Sequence, residues 1–329
     1  MRPAATLPLA RRALLPLAAG LAAIPTALRA QTPYPDHAIR MVVPYTPGGG
    51  TDNLGRLVAR ALSEQLGQSV VVENRGGAGG NIGTQNIALS PADGYNLLFT
   101  GNGIAISNVL FRNPGFDWRA DFVHVARFAS TPMLLVVNPS LPARNLQEFI
   151  ALARANPGKF NHGTPGAGTS QHLAAALFDE LAGTRITHIP YRGTAPSVTA
   201  LVAGEVEVMF ASVSAVESLI RDGKIRALAN TAGQRARAWP DLPAIAEALP
   251  GYAAELWYTM AAPARTPTPV VARLEEAARK AMEDRTFQTV LMERGFDPEF
   301  LGSAALTAAL DEDNRRWAPL IPRLGITAD

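Results

Sequence analysis

Three stretches of this 329-residue chain place glycines directly ahead of a run with helical spacing. They are Pro47-Gly48-Gly49-Gly50-Thr51-Asp52, Arg75-Gly76-Gly77-Ala78-Gly79-Gly80, and Gly163-Thr164-Pro165-Gly166-Ala167-Gly168-Thr169-Ser170. Each follows a stretch that reads as a strand. Where a strand hands over to a helix, the first helical N–H groups lack partners and the macrodipole places partial positive charge there. Such an end binds an anion. Glycine lets the backbone amides approach a ligand closely and adopt positive φ.

The identity of the anion follows from what is missing. Gly163 to Gly168 has the Walker spacing, but Thr169 stands where the lysine for the β- and γ-phosphates belongs, so a nucleoside triphosphate is not expected. In the stretch from Gly77 to Gly83, Ile82 occupies the third glycine position of the dinucleotide fingerprint, so a nicotinamide or flavin cofactor is not expected either. What remains is a set of neutral donors: backbone amides, the hydroxyls of Thr46, Thr51, Thr100, Thr164, Thr169 and Ser170, and the side-chain amides of Asn81 and Asn102. Without interleaved Lys or Arg, these suit a small carboxylate better than a phosphate chain. A tight turn with Thr51 or Thr169 as helix cap explains any single loop equally well. Three such loops at the carboxyl ends of strands, in a chain long enough for two lobes, favour ligand binding.

Catalytic signals are absent. The five histidines, at 37, 124, 162, 172 and 188, show neither H-x-H nor H-E-x-x-H spacing, and G-x-S-x-G does not occur. Ser170 and His172 are two apart on an expected helix and so do not face each other. His162 and His172 flank the second-domain loop, where a structural role outweighs ligand contact. Asp52 lies at a helix start, where a carboxylate favours the dipole, and capping outweighs ligand contact. Arg192, in "IPYRGTAP", is the one cation near a strand end facing the presumed cleft; it fits either a ligand carboxylate or the solvated rim. No catalytic residue, metal or cofactor is expected.

The elements that must position these loops repeat strand, glycine turn, helix. Strands are predicted at residues 39–45, 70–72 and 96–100, the last ending at Gly101-Asn102-Gly103, with helices at 54–62 and 82–89. A second block has strands at 133–138, 186–191 and 206–210, and helices at 146–155, along Leu173, Leu177 and Leu181, and at 195–203. A strand at 257–262 and amphipathic helices at 270–282 and 306–317 return to complete the first domain. This alternation predicts an α/β fold with mainly parallel sheets covered on both faces.

The first thirty residues read as a secretory signal peptide. Arg2, Arg11 and Arg12 precede an almost wholly apolar stretch that ends near Ala30, with cleavage expected before Gln31. Arg11-Arg12 also fits a twin-arginine signal. Removing this segment turns a formal charge of +2 into −2, because 26 basic residues then face 28 acidic ones. The basic character therefore belongs largely to the leader, and no nucleic-acid partner is expected. Cysteine is absent, which excludes thiolate metal sites and disulfides, and no later stretch has the roughly twenty apolar residues of a membrane span. The remaining 299 residues suit two domains.

The motifs "VVPYTPGGGTDNLGRLVARAL", "VVENRGGAGGNIGT", "PADGYNLLF", "GTPGAGTSQHLAAALF", "HIPYRGTAPSVTALVAGEVEVMFAS" and "APARTPTPVVARL", in this order, resemble the substrate-binding proteins of tripartite tricarboxylate transporters, the Bug family. The resemblance runs from about Tyr34 to Ile326. It implies a two-lobed, type II-like periplasmic binding protein that closes on a small carboxylate, works as a monomer and meets the membrane components of such a transporter. On that reading residues 31–131 with 233–329 form lobe 1 and residues 132–232 form lobe 2, with crossings near Thr131-Pro132 and at residues 229–233. It further implies that Tyr45, Pro47, Gly48, Gly49, Gly50, Thr51, Asp52 and Asn81 grip the ligand from lobe 1, with Thr100, Gly101 and Asn102 beside them. From lobe 2 come Thr164, Gly166, Ala167, Gly168, Thr169 and Ser170, the turn Tyr191-Arg192-Gly193, and Ala211 with Ser212. Phe210-Ala211-Ser212 departs from the Phe-Asp of many members, which weakens the case for a ligand bearing an amino group.

Overall fold

A computed structural model describes residues 34–236 and 239–326; the expected signal peptide lies outside them. The first half opens with β1 (Ile39–Val43), α1 (Gly50–Leu66), β2 (Val70–Asn74), α2 (Asn81–Ala88), β3 (Asn96–Gly101) and α3 (Ser107–Leu110). Met41, Val42 and Val43 are all fully buried, so β1 is covered on both faces, as its continuous apolar run requires. On α1, Leu54, Val58, Ala61 and Leu62 turn inward, and Gly67, in the left-handed region at φ 72°, ends the helix by donating its N–H to Ser63 O.

The element common to the whole molecule is β4 (Phe122–Val137), sixteen residues long. After it come α4 (Leu146–Ala155), β5 (Asn161–Thr164), α5 (Ser170–Ala182), β6 (Thr187–Pro190), α6 (Thr194–Ala203), β7 (Val208–Ser212), α7 (Val213–Arg221), β8 (Arg226–Asn230) and α8 (Ile245–Ala248). The chain ends with β9 (Glu255–Pro263), α9 (Thr268–Glu283), α10 (Arg285–Glu293), β10 (Asp297–Gly302), α11 (Ser303–Trp317) and α12 (Leu320–Arg323). The strand order is β2-β1-β3-β9-β4-β7-β5-β6, with β8 and β10 also on β4.

The expected parallel ladders form on both sides, β1 with β2 and β3, and β5 with β6 and β7. Between them every pairing is antiparallel, so the sheet is mixed. Residues 122–132 of β4 pair with β9, and residues 133–137 pair with β7 and β8. The division falls at Pro132, where the strand passes from the first half to the second. Near the return passage, Thr231 donates its N–H to Met133 O, and Ala254 donates to Thr231 O.

The first part of β4 was not apparent in the sequence because two polar residues, His124 and Arg127, interrupt its apolar run. Both are accommodated. His124 Nε2 lies 2.9 Å from Trp118 O, and the Arg127 guanidinium stacks 4.8 Å from the Trp257 ring centre while pairing with Glu299 at 2.5 Å. The helix α10 and strand β10 likewise went unread; α10 follows no glycine turn, and a single glycine, Gly295, precedes β10.

A chain of aromatic rings fills the first half: Phe99 lies 5.9 Å from Phe128 and 6.4 Å from Tyr258, which meets Phe296 at 5.6 Å. Phe178 packs between Phe149 and Phe210, 5.8 Å from each, in the second. Phe128 is fully buried on β4, so Phe128→Ala is expected to cost about 3–5 kcal/mol of stability, read as a lower urea midpoint with an unchanged slope.

Candidate functional site

The loop between β1 and α1 is fastened from below by Asp52. Its Oδ2 accepts the Gly48 N–H at 2.9 Å and Arg56 Nε at 3.1 Å, and its Oδ1 accepts Asn74 Nδ2 at 2.9 Å. Asn74, at the end of β2, also donates to Tyr45 O at 3.0 Å. Burial alone would raise the Asp52 carboxyl, but the hydrogen bonds from Arg56, Gly48 and Asn74 outweigh it and hold the group below its ordinary value. Both carboxylate oxygens are thus occupied in shaping the loop.

That fastening leaves the start of α1 bare. The N-cap is Gly49, not Thr51, and no side chain caps it; the first helical bond runs from Asn53 N–H to Gly49 O. The start of α5 is similar. Thr169 is its N-cap, yet the Thr169 hydroxyl donates back to Gly166 O at 2.9 Å and makes no cap bond. Helix α6 begins after Gly193, also without a side-chain cap. Both threonines that a capping explanation requires are therefore otherwise placed.

The three helix starts meet. Thr51 of α1, Ser170 and Gln171 of α5, and Thr194 of α6 line one cavity, closed on the other side by Tyr45, Gly101 and Leu256. No lysine or arginine lines it. The cavity is about 10 Å³, close to the room that one water needs, so the loops are closed upon each other. Ser170 Oγ donates across the gap to Asn102 Oδ1 at 2.9 Å, and Asn102 Nδ2 continues to Asp313 Oδ2 at 2.7 Å. Burial raises the Asp313 carboxyl above its ordinary value, against the Asn102 hydrogen bond and the Arg316 and Arg127 charges.

Contact this close depends on missing side chains. A Cβ built on Gly49 would stand 3.0 Å from Thr194 Oγ1, and one on Gly79 would stand 2.2 Å from Ala167 O. The two glycines serve different needs. Gly49 has φ −82°, open to any residue, so only proximity requires glycine there. Gly79, at φ 64°, meets both the steric and the left-handed demand.

The remaining sequence candidates divide into those that face the cavity and those that support it. The Thr164 hydroxyl lies 3.2 Å from Gly166 N and 2.6 Å from His188 Nε2, inside its own loop. Burial raises the Tyr45 phenol, opposed by a hydrogen bond with Thr100. Asn81 is buried at the start of α2, next to Gly80, whose built Cβ would touch the Tyr45 ring at 3.2 Å. Tyr191 packs its ring on the second-half core, and its N–H donates to Thr164 O at 2.9 Å. Arg192 is exposed and contributes its carbonyl near Gly76, while Pro47 stays on the surface. Ala211 is buried in β7. Ser212 Oγ and the Tyr258 hydroxyl converge on Gly50, at 2.5 and 2.7 Å from a built Cβ, and neither makes a hydrogen bond of good geometry. Burial raises the Tyr258 phenol, which the Ser212 hydroxyl opposes in part.

Gln171, Thr194 and Leu256 were not anticipated. Gln171 and Thr194 each follow a recognised loop residue by one position, a signal that could have found them. Leu256 reaches the cavity only through the antiparallel pairing of β9 with β3, which brings Tyr258 opposite Gly101.

The family model of the tripartite tricarboxylate transporter family receptor matches residues 54–326. The chain belongs to this family. A relative within it, BugT of Bordetella pertussis, is 34% identical over 295 residues, covering 89% of this chain and 90% of its own. Among solved structures, periplasmic binding protein BugD is 32% identical with a TM-score of 0.85, over 89% of this chain and 99% of its own. The R. palustris protein Rpa4515, determined with adipate, is 36% identical with a TM-score of 0.86, over the same shares. The receptor family is thus one of periplasmic binding proteins, and the two-lobed α/β expectation holds.

Two substitutions test the closed arrangement. Gly49→Val is expected to prop the halves apart, giving a larger radius of gyration in small-angle scattering while the melting temperature stays within a few degrees. Asp52→Ala removes three hydrogen bonds from a buried carboxylate and is expected to cost about 2 kcal/mol, measured by denaturant titration.

Proposed function

We propose that this chain is an extracytoplasmic solute-binding protein that captures a small carboxylate between two lobes and delivers it to the membrane components of a tripartite tricarboxylate-type transporter. Residues 31–131 with 233–329 act as one lobe and residues 132–232 as the other. The observation that carries the reading is the convergence of three helix starts, none capped by a side chain, on one cavity without a lysine or arginine in its wall. Backbone N–H groups and helix dipoles answer about one negative charge there, and the Tyr45, Thr51, Ser170 and Thr194 hydroxyls complete the grip. A phosphate chain would need more charge than this site offers.

The closed cavity has no room for a carboxylic acid, so the lobes must part to admit one. Bending of β4 near Pro132 and of the passage after β8 is enough, because a few residues at such crossings absorb the motion. Family membership and the adipate of Rpa4515 support the ligand class. A binding role without turnover agrees with the placement of two residues of the second loop: the Ser170 hydroxyl is directed to Asn102, and His172 faces the back of the loop.

Mass spectrometry of small molecules that co-purify with the mature chain, followed by calorimetric titration of the recovered compound into stripped protein, tests this reading. A carboxylic acid is expected that rebinds unchanged, with Gly49→Val weakening it at least tenfold, about 1.4 kcal/mol. Recovery of a compound without an acid group would overturn the carboxylate grip, and its consumption during titration would overturn the non-catalytic role.

A further inference from the structure

Behind the second loop, away from the cleft, three imidazoles stack. His162 on β5 and His188 on β6 are register partners in a parallel ladder, which sets their rings 5.0 Å apart. His172, in the first turn of α5, lies on His188 at 3.7 Å with only 15° between the planes. Two of the three hold the glycine loop directly. His172 Nδ1 accepts the Gly168 N–H at 3.2 Å, and His188 Nε2 lies 2.6 Å from Thr164 Oγ1, which also takes the Gly166 N–H. A backbone N–H can only donate, so the bond from Gly168 requires His172 Nδ1 to be free of a proton. The third ring, His162, is buried with its Nδ1 unpartnered, and offers nothing to stabilise a charge.

We propose that His172 and His188 are positioning residues of the 164–170 loop: as neutral rings they hold it at the start of α5, and when they take up protons the loop lets go, which makes the site sensitive to acid. The inference rests on the carboxylate reading for what the loop grips, and not for how the loop is held.

The surroundings bear this out group by group. The rings face a cavity of about 500 Å³ whose charged lining consists of Asp179, Glu180, Arg185 and Arg323. Asp179 is engaged by the Thr184 hydroxyl and the Ile186 N–H, and Glu180 pairs with Arg323. Among the described residues no carboxylate hydrogen-bonds His162, His172 or His188, so a proton on the stack meets burial and two neighbouring rings without a counter-charge. Burial pulls His172 down to about 3, helped by His188, and His188 down to about 4; His162 falls well below the ordinary value for burial and for the two neighbouring rings. The sign follows from these directions. A histidine whose value is depressed in the intact arrangement binds its proton more readily when the arrangement loosens. The loop is therefore held fully above about pH 6.5, and its hold weakens as pH falls from there through about 4, for His188, to about 3, for His172.

Nitrogen-15 NMR of the ligand-free mature chain tests the proposal. At neutral pH the His172 ring is expected to carry its proton on Nε2, with Nδ1 shifted as a hydrogen-bond acceptor; a ring protonated at Nδ1 would overturn the inference on wild-type protein alone. On acidification the Gly166 and Gly168 amide signals are expected to leave their native positions together with the histidine signals, while those of β1 stay. In His172→Gln, whose side-chain oxygen accepts from Gly168 without titrating, the Gly168 signal should persist where the wild type loses it. A Gly168 amide that is unmoved while His172 takes its proton, or a glutamine variant that follows the wild-type curve, overturns the proposal. No ligand enters the measurement, so failure of carboxylate binding leaves its result intact.

Discussion

Everything in the site depends on backbone meeting backbone across the gap between the two halves of the sheet. Gly49 opposes Thr194, Gly79 opposes Ala167, and Gly103 opposes Gly168, whose carbonyl would lie 3.1 Å from a Cβ built on Gly103. Side chains at these points would separate the helix starts that need to converge. The closed form has an energetic cost as well. The hydroxyl of Thr46 is buried beside the contact with no hydrogen-bond partner, and those of Ser212 and Tyr258 face each other there without a hydrogen bond of good geometry, which costs stability. On the proposed function, an anion that engages the helix starts would offset this cost, and ligand and closure would be coupled, since a bound acid favours the closed state only by its better contacts there.

The charge logic is unusual in using almost no charge. A guanidinium buried in the cleft would have to be desolvated each time the lobes close, and would remain unpaired whenever they closed empty. Helix dipoles and amides are fixed by the fold and need no such reorganisation. Titratable and polar side chains instead shape the loops from outside: Asp52 with Arg56 and Asn74 beneath the first, and neutral His172 and His188 behind the second. Each loop is built by side chains that are turned away from the cleft. The cavity wall is left to backbone, to the hydroxyls of Thr51, Ser170 and Thr194, and to the uncharged side chains of Tyr45, Gln171 and Leu256.

Strand β4 connects this local chemistry to the whole. One ladder, residues 122–132, belongs to the first half, and the next, residues 133–137, to the second. Where the two ladders meet, Pro132 cannot donate to its neighbour, and Thr131 turns its hydroxyl to Gly295 O. On the proposed function, rotation there would change the distance between the glycine loops without altering either core.

By itself the sequence determined the local grammar: glycines before apolar-periodic runs, buried strands expected at 39–45 and 96–100 and found at Ile39–Val43 and Asn96–Gly101, and the helix at 146–155, which coincides with α4. Those features are set by neighbours within a few residues, where steric limits and hydrogen-bond geometry act. The mixed centre of the sheet, the first part of β4 and the strand β10 were decided by tertiary packing, because their polar residues find partners far along the chain, as Arg127 does on Glu299 and Trp257. The same holds for the roles within the site. Thr164, Thr169 and Asn102 carry donors that equally suit a ligand. Only the folded arrangement turns the first two onto Gly166 and His188, and bridges the third between Ser170 and Asp313, while bringing Leu256 to the cavity wall. Residue type fixes what a group can donate or accept; where that bond is made depends on which strands pair, and that is a property of the whole chain.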